Sequence, residues 1–119
     1  MGWEINADSF YNIIKQFASY PKIKNLVITE NGAAYHDKLV DGVVDDRERI
    51  AYFELYLAAM LRAKADGMNI TGYMAWTLMD NFEWAEGYNA GFGLVYNDFK
   101  TQQRIIKSSG YWWQDFLKK

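Results

Sequence analysis

Asn25-Leu26-Val27-Ile28-Thr29, followed at once by Glu30-Asn31-Gly32, is the stretch on which the fold turns. Leu26, Val27 and Ile28 form an unbroken apolar run rich in β-branched side chains. A strand with one wet face alternates apolar and polar residues, whereas a short continuous run is the pattern of a parallel strand covered on both faces. The pattern returns from Ile70 to Trp76. Between the two, Asp45 to Ala65 reads as a helix, with Ile50, Phe53, Leu57, Met60 and Leu61 on one stripe. Asp45 with Glu48 three residues on resembles a capping box, and Gly67 stands where a left-handed C-cap closes a helix. Strand, helix and strand in this order predict a parallel sheet with a right-handed crossover.

Residues 8–20 read as a preceding helix, capped by Asp8, with Phe10, Ile13, Ile14 and Phe17 at helical spacing. Residues 33–44 read as a loop, and Asp45-Asp46 with Arg47-Glu48-Arg49 as a capped, solvated helix start. His36 is read as a surface residue. An aromatic and acidic loop runs from Thr77 to Gly91, a short strand from Phe92 to Tyr96, and a final helix over 107–117 that turns Tyr111, Trp112 and Phe116 inward. Two or three strands leave open edges and bare faces that need partners. The pattern therefore predicts a piece of a larger α/β sheet.

Composition narrows the function. The 119 residues include 13 Lys and Arg against 15 Asp and Glu, a net charge of −2, so no basic field exists to neutralise nucleic-acid phosphates. Cysteine is absent and His36 is the only histidine, which removes disulfides, thiol chemistry and multi-His metal sites. The start at Met1-Gly2-Trp3-Glu4 has no secretory pattern and no run is long enough to span a membrane, so a cytoplasmic location is the default expectation. No cofactor is implied. Aromatic residues make up 18% of the chain, a density that serves a core and also suits a sugar cleft.

Two features carry candidate chemistry. Glu30 ends one strand, and Trp76-Thr77-Leu78-Met79-Asp80-Asn81-Phe82-Glu83-Trp84 follows the next. Both lie at the carboxyl ends of parallel strands, where α/β folds bind ligands. A lone Glu before Asn31-Gly32 also fits a solvated turn. The second segment is harder to assign to an ordinary loop. Trp offers a flat apolar face with a polar edge, and carboxylates accept paired hydrogen bonds from neighbouring hydroxyls. Together they match a sugar ring.

Ile28-Thr29-Glu30-Asn31-Gly32 resembles the nucleophile motif of the family-1 glycoside hydrolases, the β-glucosidase family. Trp76 to Trp84, continuing through Ala85-Glu86-Gly87-Tyr88, is similar to that family's glycone-binding stretch. Phe92-Gly93-Leu94-Val95-Tyr96 and Lys107-Ser108-Ser109-Gly110-Tyr111-Trp112 resemble its closing segments, and Met1-Gly2-Trp3-Glu4-Ile5 the stretch between its sixth strand and helix. The resemblance implies that residues 1–119 are the C-terminal segment of a (β/α)8 TIM barrel: its last two strand–helix units plus the preceding helix. It implies Glu30 as the catalytic nucleophile of a retaining mechanism, Trp76 as the stacking floor, Glu83 as the acceptor of two sugar hydroxyls, Trp84 as donor to a third, and Phe92 as pocket lining. Relatives acting on 6-phosphorylated sugars generally lack the carboxylate matching Glu83, so its presence implies an unphosphorylated β-glycoside. Asn89-Ala90-Gly91 stands before Phe92-Gly93 where the family commonly has a basic residue, which is expected to loosen the rim of the site.

The family's acid/base Glu belongs to an Asn-Glu-Pro motif, and no such motif occurs in this sequence. A retaining site needs two carboxyls about 5–5.5 Å apart, and a full barrel about 250 residues or more. Three expectations follow. The chain is the nucleophile-bearing part of a β-glycosidase that works only with a complementary N-terminal barrel fragment, or a non-catalytic sugar-binding module, or a piece that self-associates through open barrel edges. In each case negligible hydrolysis by the chain alone is expected.

Overall fold

β1 (Leu26–Asn31) and β4 (Ile70–Ala75) lie side by side and parallel in the computed structural model, which describes residues 2–118. Met1, the first residue of one motif quoted above, lies outside the described residues. Helix α1 (Ala7–Ala18) precedes β1 and α2 (Arg47–Ala65) connects β1 to β4. A single 3-10 turn (Trp84–Glu86) interrupts the long loop; the antiparallel pair β5 (Val95–Asn97) and β6 (Arg104–Ile106) then leads into α3 (Ser108–Phe116). The expected order of helix, strand, helix, strand, helix is present. Among the described residues no helix is long and apolar enough to cross a membrane.

The parallel pair is irregular twice. Leu26 faces Ile70 but Val27 faces Gly72, and Ile28 faces Tyr73 while Asn31 faces Ala75. Each strand thus inserts one extra residue, which lets Ile70 and Tyr73, two helix-facing residues three apart, pack on the same side. The second irregularity falls on Thr29 and Glu30.

Two apolar clusters hold the helices to the sheet. Tyr52, Phe53, Tyr56 and Leu57 of α2 enclose Trp113 of α3, with Tyr73 and Ala75 against them. Ile14 of α1, Ala63 of α2 and Ile70 form the other, with Leu26 and Ile28 alongside. Helix α2 ends as its sequence predicts: Gly67 takes φ +92°, its amide donates to the Lys64 carbonyl at 3.1 Å, and Met68 N donates to Ala63 O at 3.1 Å.

Several expectations need correction. β1 extends through Glu30 and Asn31, and it is not covered on both faces: Val27 and Met74, turned away from the helices, are 43% and 56% exposed. Asn6, not Asp8, caps α1, accepting from Ser9 N at 2.9 Å. Phe53 and Leu57 are buried as expected, but Leu61 points outward at 52% exposure, and Tyr52, Tyr56, Ala59 and Ala63 complete the buried face of α2. In α3 Trp113 is the buried residue and Trp112 packs partly buried beside it, as expected, whereas Tyr111 and Phe116 are 54% and 37% exposed. The cause is the helix start, where Ser109 is held by Asp46 and fixes the face that Trp113, four residues on, must share. Residues 33–44 hold a small hairpin, β2 (Leu39–Val40) and β3 (Val43–Val44), joined by Asp41 and Gly42, both with positive φ.

The radius of gyration is 15.8 Å, against about 13.5 Å expected for a compact domain of this length. The sheet stays open, with one bare face.

Candidate active site

Glu30 sits at the bulge near the carboxyl end of β1 and is exposed. Bulges of this kind re-aim side chains and are common beside active sites. Beyond it the two strand ends close on each other. Trp76 N donates to Asn31 O at 2.8 Å, and a Cβ on Gly32 would stand 1.7 Å from the Trp76 carbonyl oxygen, so only glycine fits. Tyr73 donates its hydroxyl to Asn31 Oδ1 at 2.6 Å. Burial pushes the Tyr73 and Tyr52 phenols well above their ordinary value, so both remain neutral donors. Glu30 borders a hollow of about 430 Å³ shared with Trp3, Tyr52 and Tyr56.

Trp76 begins the long loop through a cis peptide to Thr77. Thr77 then pairs with the segment after Gly91: its amide donates to Phe92 O at 3.3 Å and its carbonyl accepts from Leu94 N at 3.0 Å. Phe92 is buried, and its ring lies 6.4 Å from that of Trp3 on the edge of the Glu30 hollow. The structure therefore brings Glu30, Trp76 and Phe92 to one end of the parallel pair. Of the five expected site residues only Glu30 lines the hollow itself; Trp76 and Phe92 join it through the Trp76 N–Asn31 O and Thr77 N–Phe92 O bonds, whereas Glu83 and Trp84 lie further along the loop. Glu83 N donates to Gly87 O at 2.7 Å across the 3-10 turn, and Trp84 is 82% exposed.

A buried ionic cluster lies behind these segments, built from residues that the sequence placed in solvent or passed over. Arg49 and Lys107 have no exposed side-chain surface, and Asp37, Asp46 and Asp80 are at most 8% exposed. Asp37 accepts from Arg49 Nη2 at 2.8 Å and from Lys107 Nζ at 2.5 Å. Lys107 also donates to Asp80 at 2.8 Å, and Asp80 accepts from Gly93 N at 2.7 Å. Asp46 takes Arg49 Nη1, together with Ser109 N at 2.7 Å and Ser109 Oγ at 2.5 Å. Burial opposes the charge on Arg49, but hydrogen bonds and charges from Asp37 and Asp46 outweigh it and hold its pKa above the ordinary arginine value. The helix start at Asp46 and Arg49 is thus buried and paired, not solvated. The spacing of Asp46 to Arg49 is the one local signal; the remaining partners are brought in by the fold.

The rim before Phe92 is fastened rather than loose. Gly91 O accepts from Arg49 Nη2 at 2.6 Å and from Tyr35 N at 3.0 Å. A Cβ on Gly91 would approach Asp37 Oδ2 to 2.9 Å and Asp80 Oδ1 to 3.3 Å, so the glycine makes room for these two carboxylates.

Paired strand ends with an acid on one and a Trp on the next lie where α/β folds bind ligands. The chain belongs to Glycosyl hydrolase family 1, whose family profile it matches over residues 1–119. It is 46% identical over 119 residues to the 1,4-beta-D-glucan glucohydrolase of Thermotoga neapolitana, covering 99% of this chain and 27% of that protein. It is 44% identical over 113 residues to a 6-phospho-beta-galactosidase of Streptococcus equi subsp. zooepidemicus, covering 94% of this chain and 24% of that one. In structure it matches the family 1 β-glucosidase from Thermotoga maritima with a TM-score of 0.96 at 44% identity, over 99% of this chain and 27% of that chain. The chain therefore spans about a quarter of the length of these relatives.

Proposed function

We propose that this chain supplies the nucleophile and glycone-binding part of a retaining β-glycosidase, as the C-terminal segment of a (β/α)8 barrel. The observation that carries the proposal is the meeting of Glu30, Trp76 and Phe92 at one end of the β1/β4 pair. Glu30 attacks the anomeric carbon and forms the covalent glycosyl intermediate, which water then hydrolyses. Trp76 stacks beneath the glycone, Phe92 lines its edge, Glu83 accepts two hydroxyls and Trp84 donates to a third. Glu83, just before the turn at 84–86, and Trp84, its first residue, reach the sugar once the complementary part of the barrel stands opposite.

The second carboxyl, which protonates the leaving group, comes from the complementary N-terminal part. General-acid help of that kind is typically worth on the order of 10²–10⁴-fold, so the chain alone turns over negligibly. The same part covers the bare sheet face carrying Val27 and Met74.

Relatives named for β-glucans and for 6-phospho-β-galactosides match almost equally well, so overall similarity does not choose the substrate. Glu83 does, because a carboxylate repels a sugar phosphate. The substrate class is β-glucosides or related unphosphorylated β-glycosides. A Thermotoga maritima family 1 β-glucosidase solved in complex with isofagomine lactam, whose structure this chain matches over 99% of its length, supports a sugar-like ligand. The exposed Val27 and Met74 also favour a second reading, self-association of a non-catalytic sugar-binding piece. The two separate in one experiment. The chain is joined to the N-terminal remainder of a family-1 barrel and assayed on an aryl β-glucoside with and without Glu30→Gln. Turnover lost in the variant while sugar binding persists upholds the enzyme; turnover that survives it removes Glu30 from the role.

A further inference from the structure

We infer that the buried ionic cluster is a clasp that sets the glycone-binding loop in register with the nucleophile strand, with Asp37 as its bridging positioning residue. The inference rests on the proposed function for its catalytic meaning, and on the cluster's connectivity for its mechanics.

The connectivity is divided. Arg49 holds the nucleophile side, its Nε donating to Ala33 O at 3.3 Å, three residues beyond Glu30, while its Nη2 also reaches across to Gly91 O at 2.6 Å, next to Phe92. Lys107 holds the sugar side: it binds Asp80, within the stretch from Trp76 to Trp84, and Asp80 in turn fixes the amide of Gly93, next to Phe92. One Asp37 oxygen accepts from both cations, at 2.8 Å from Arg49 and 2.5 Å from Lys107. Asp46 adds a third anchor, tying Arg49 to the start of α3 through Ser109. The cluster therefore holds three carboxylates against two cations, all nearly inaccessible. Folding alone does not require so many buried charges, since a buried ion pair is often no more stabilising than apolar residues of equal volume. What it does supply is a fixed geometry, because each charge left without its partner is costly. Nucleophile and sugar loop are built on different strands, and a misplacement of about 1 Å between them costs on the order of 10²-fold in rate.

The test has two arms. The first is hydrogen exchange on the chain itself. Asp80→Asn keeps an acceptor for Gly93 N but weakens the hold of Lys107, so the amides of Thr77, Gly93 and Leu94 exchange faster while Tyr35 N keeps its protection. Asp37→Asn, which cuts the bridge, speeds both groups. Amides of α1 stay unchanged in each variant. Uniform acceleration through α1, or no acceleration in either segment, overturns the clasp. The second arm uses the joined barrel and compares kcat/KM for an aryl β-glucoside with that for the aryl β-xyloside, which lacks the hydroxymethyl arm. A loosened register penalises the substrate held by more of the loop, so Asp37→Asn lowers the glucoside-to-xyloside ratio about tenfold, within the range that misalignment produces. This ratio is independent of how much protein is correctly folded. An unchanged ratio means that Asp37 serves folding only, and overturns the positioning role. Turnover surviving Glu30→Gln counts against the nucleophile assignment alone, since the exchange arm reads the clasp without it.

Discussion

Helix α2 buries two clusters of opposite chemistry. Its middle, Tyr52 to Leu57, enters an aromatic cluster around Trp113, while its first turn sends Arg49 into a cluster of carboxylates. The aromatic cluster tolerates adjustment, because dispersion is spread over many weak contacts and side chains of similar volume substitute for one another. The ionic cluster does not, because removing one member leaves its partners charged and dry. The fold thus rests on a forgiving core, and the candidate site is held by an unforgiving one.

Removing Arg49 tests the contrast most severely. Arg49→Met leaves Asp37 and Asp46 without their guanidinium, and the expected loss is about 3–5 kcal/mol, read as a lower midpoint in denaturant. Phe53, with no exposed surface in the aromatic cluster, makes the matched comparison. Phe53→Leu is expected to cost about 1.5 kcal/mol, and a loss as large as that of Arg49→Met would erase the distinction.

A smaller effect sharpens the aromatic side. Tyr73→Phe removes the hydrogen bond to Asn31, worth about 0.5–1.5 kcal/mol. The folded-state pKa of Tyr73 is raised above the ordinary phenol value of 10.0, chiefly by burial, so the unfolded chain loses this proton first. Its contribution to stability is whole below pH 10 and shrinks as pH rises beyond it. Stability measured from pH 9 upward should fall less steeply in Tyr73→Phe than in the parent chain. At the far end, Arg62 and Asp8 pair at 2.8 Å on the surface, with side chains 52% and 81% exposed. Asp8→Asn is expected to lower stability only slightly, and less as salt is added. A larger, salt-resistant loss would show that exposure does not separate the two kinds of charge.

The same division explains what could be read from sequence. The parallel strands, α2 and its Gly67 cap follow from periodicity and local turn chemistry, which are carried by neighbours in the chain. The hairpin at 39–44 was not read from them, because its strands are only two residues each and no alternating pattern flanks Asp41-Gly42. The exposure of Val27 was not legible, because a continuous apolar run reports how a strand is covered in its complete sheet. In α3 the aromatic residues at 111, 112, 113 and 116 support more than one inward face. The choice is made by the contact of Ser109 with Asp46, 63 residues earlier in the chain. The ionic cluster lay furthest from view: Asp37 and Lys107 are 70 residues apart, and nothing near either one announces the other. At the site, Glu30 and Trp76 could be placed from the strand ends on which they sit. Glu83 and Trp84 could not, since the long loop decides their position.

The most direct test of the central claim is to trap the covalent intermediate. The joined barrel is incubated with an activated 2-deoxy-2-fluoro β-glucoside, whose fluorine slows hydrolysis of the glycosyl–enzyme, and the labelled peptide is identified by mass. The account predicts one sugar ester, on Glu30. A label on another carboxylate, or turnover of an aryl β-glucoside with no trapped ester, would contradict it.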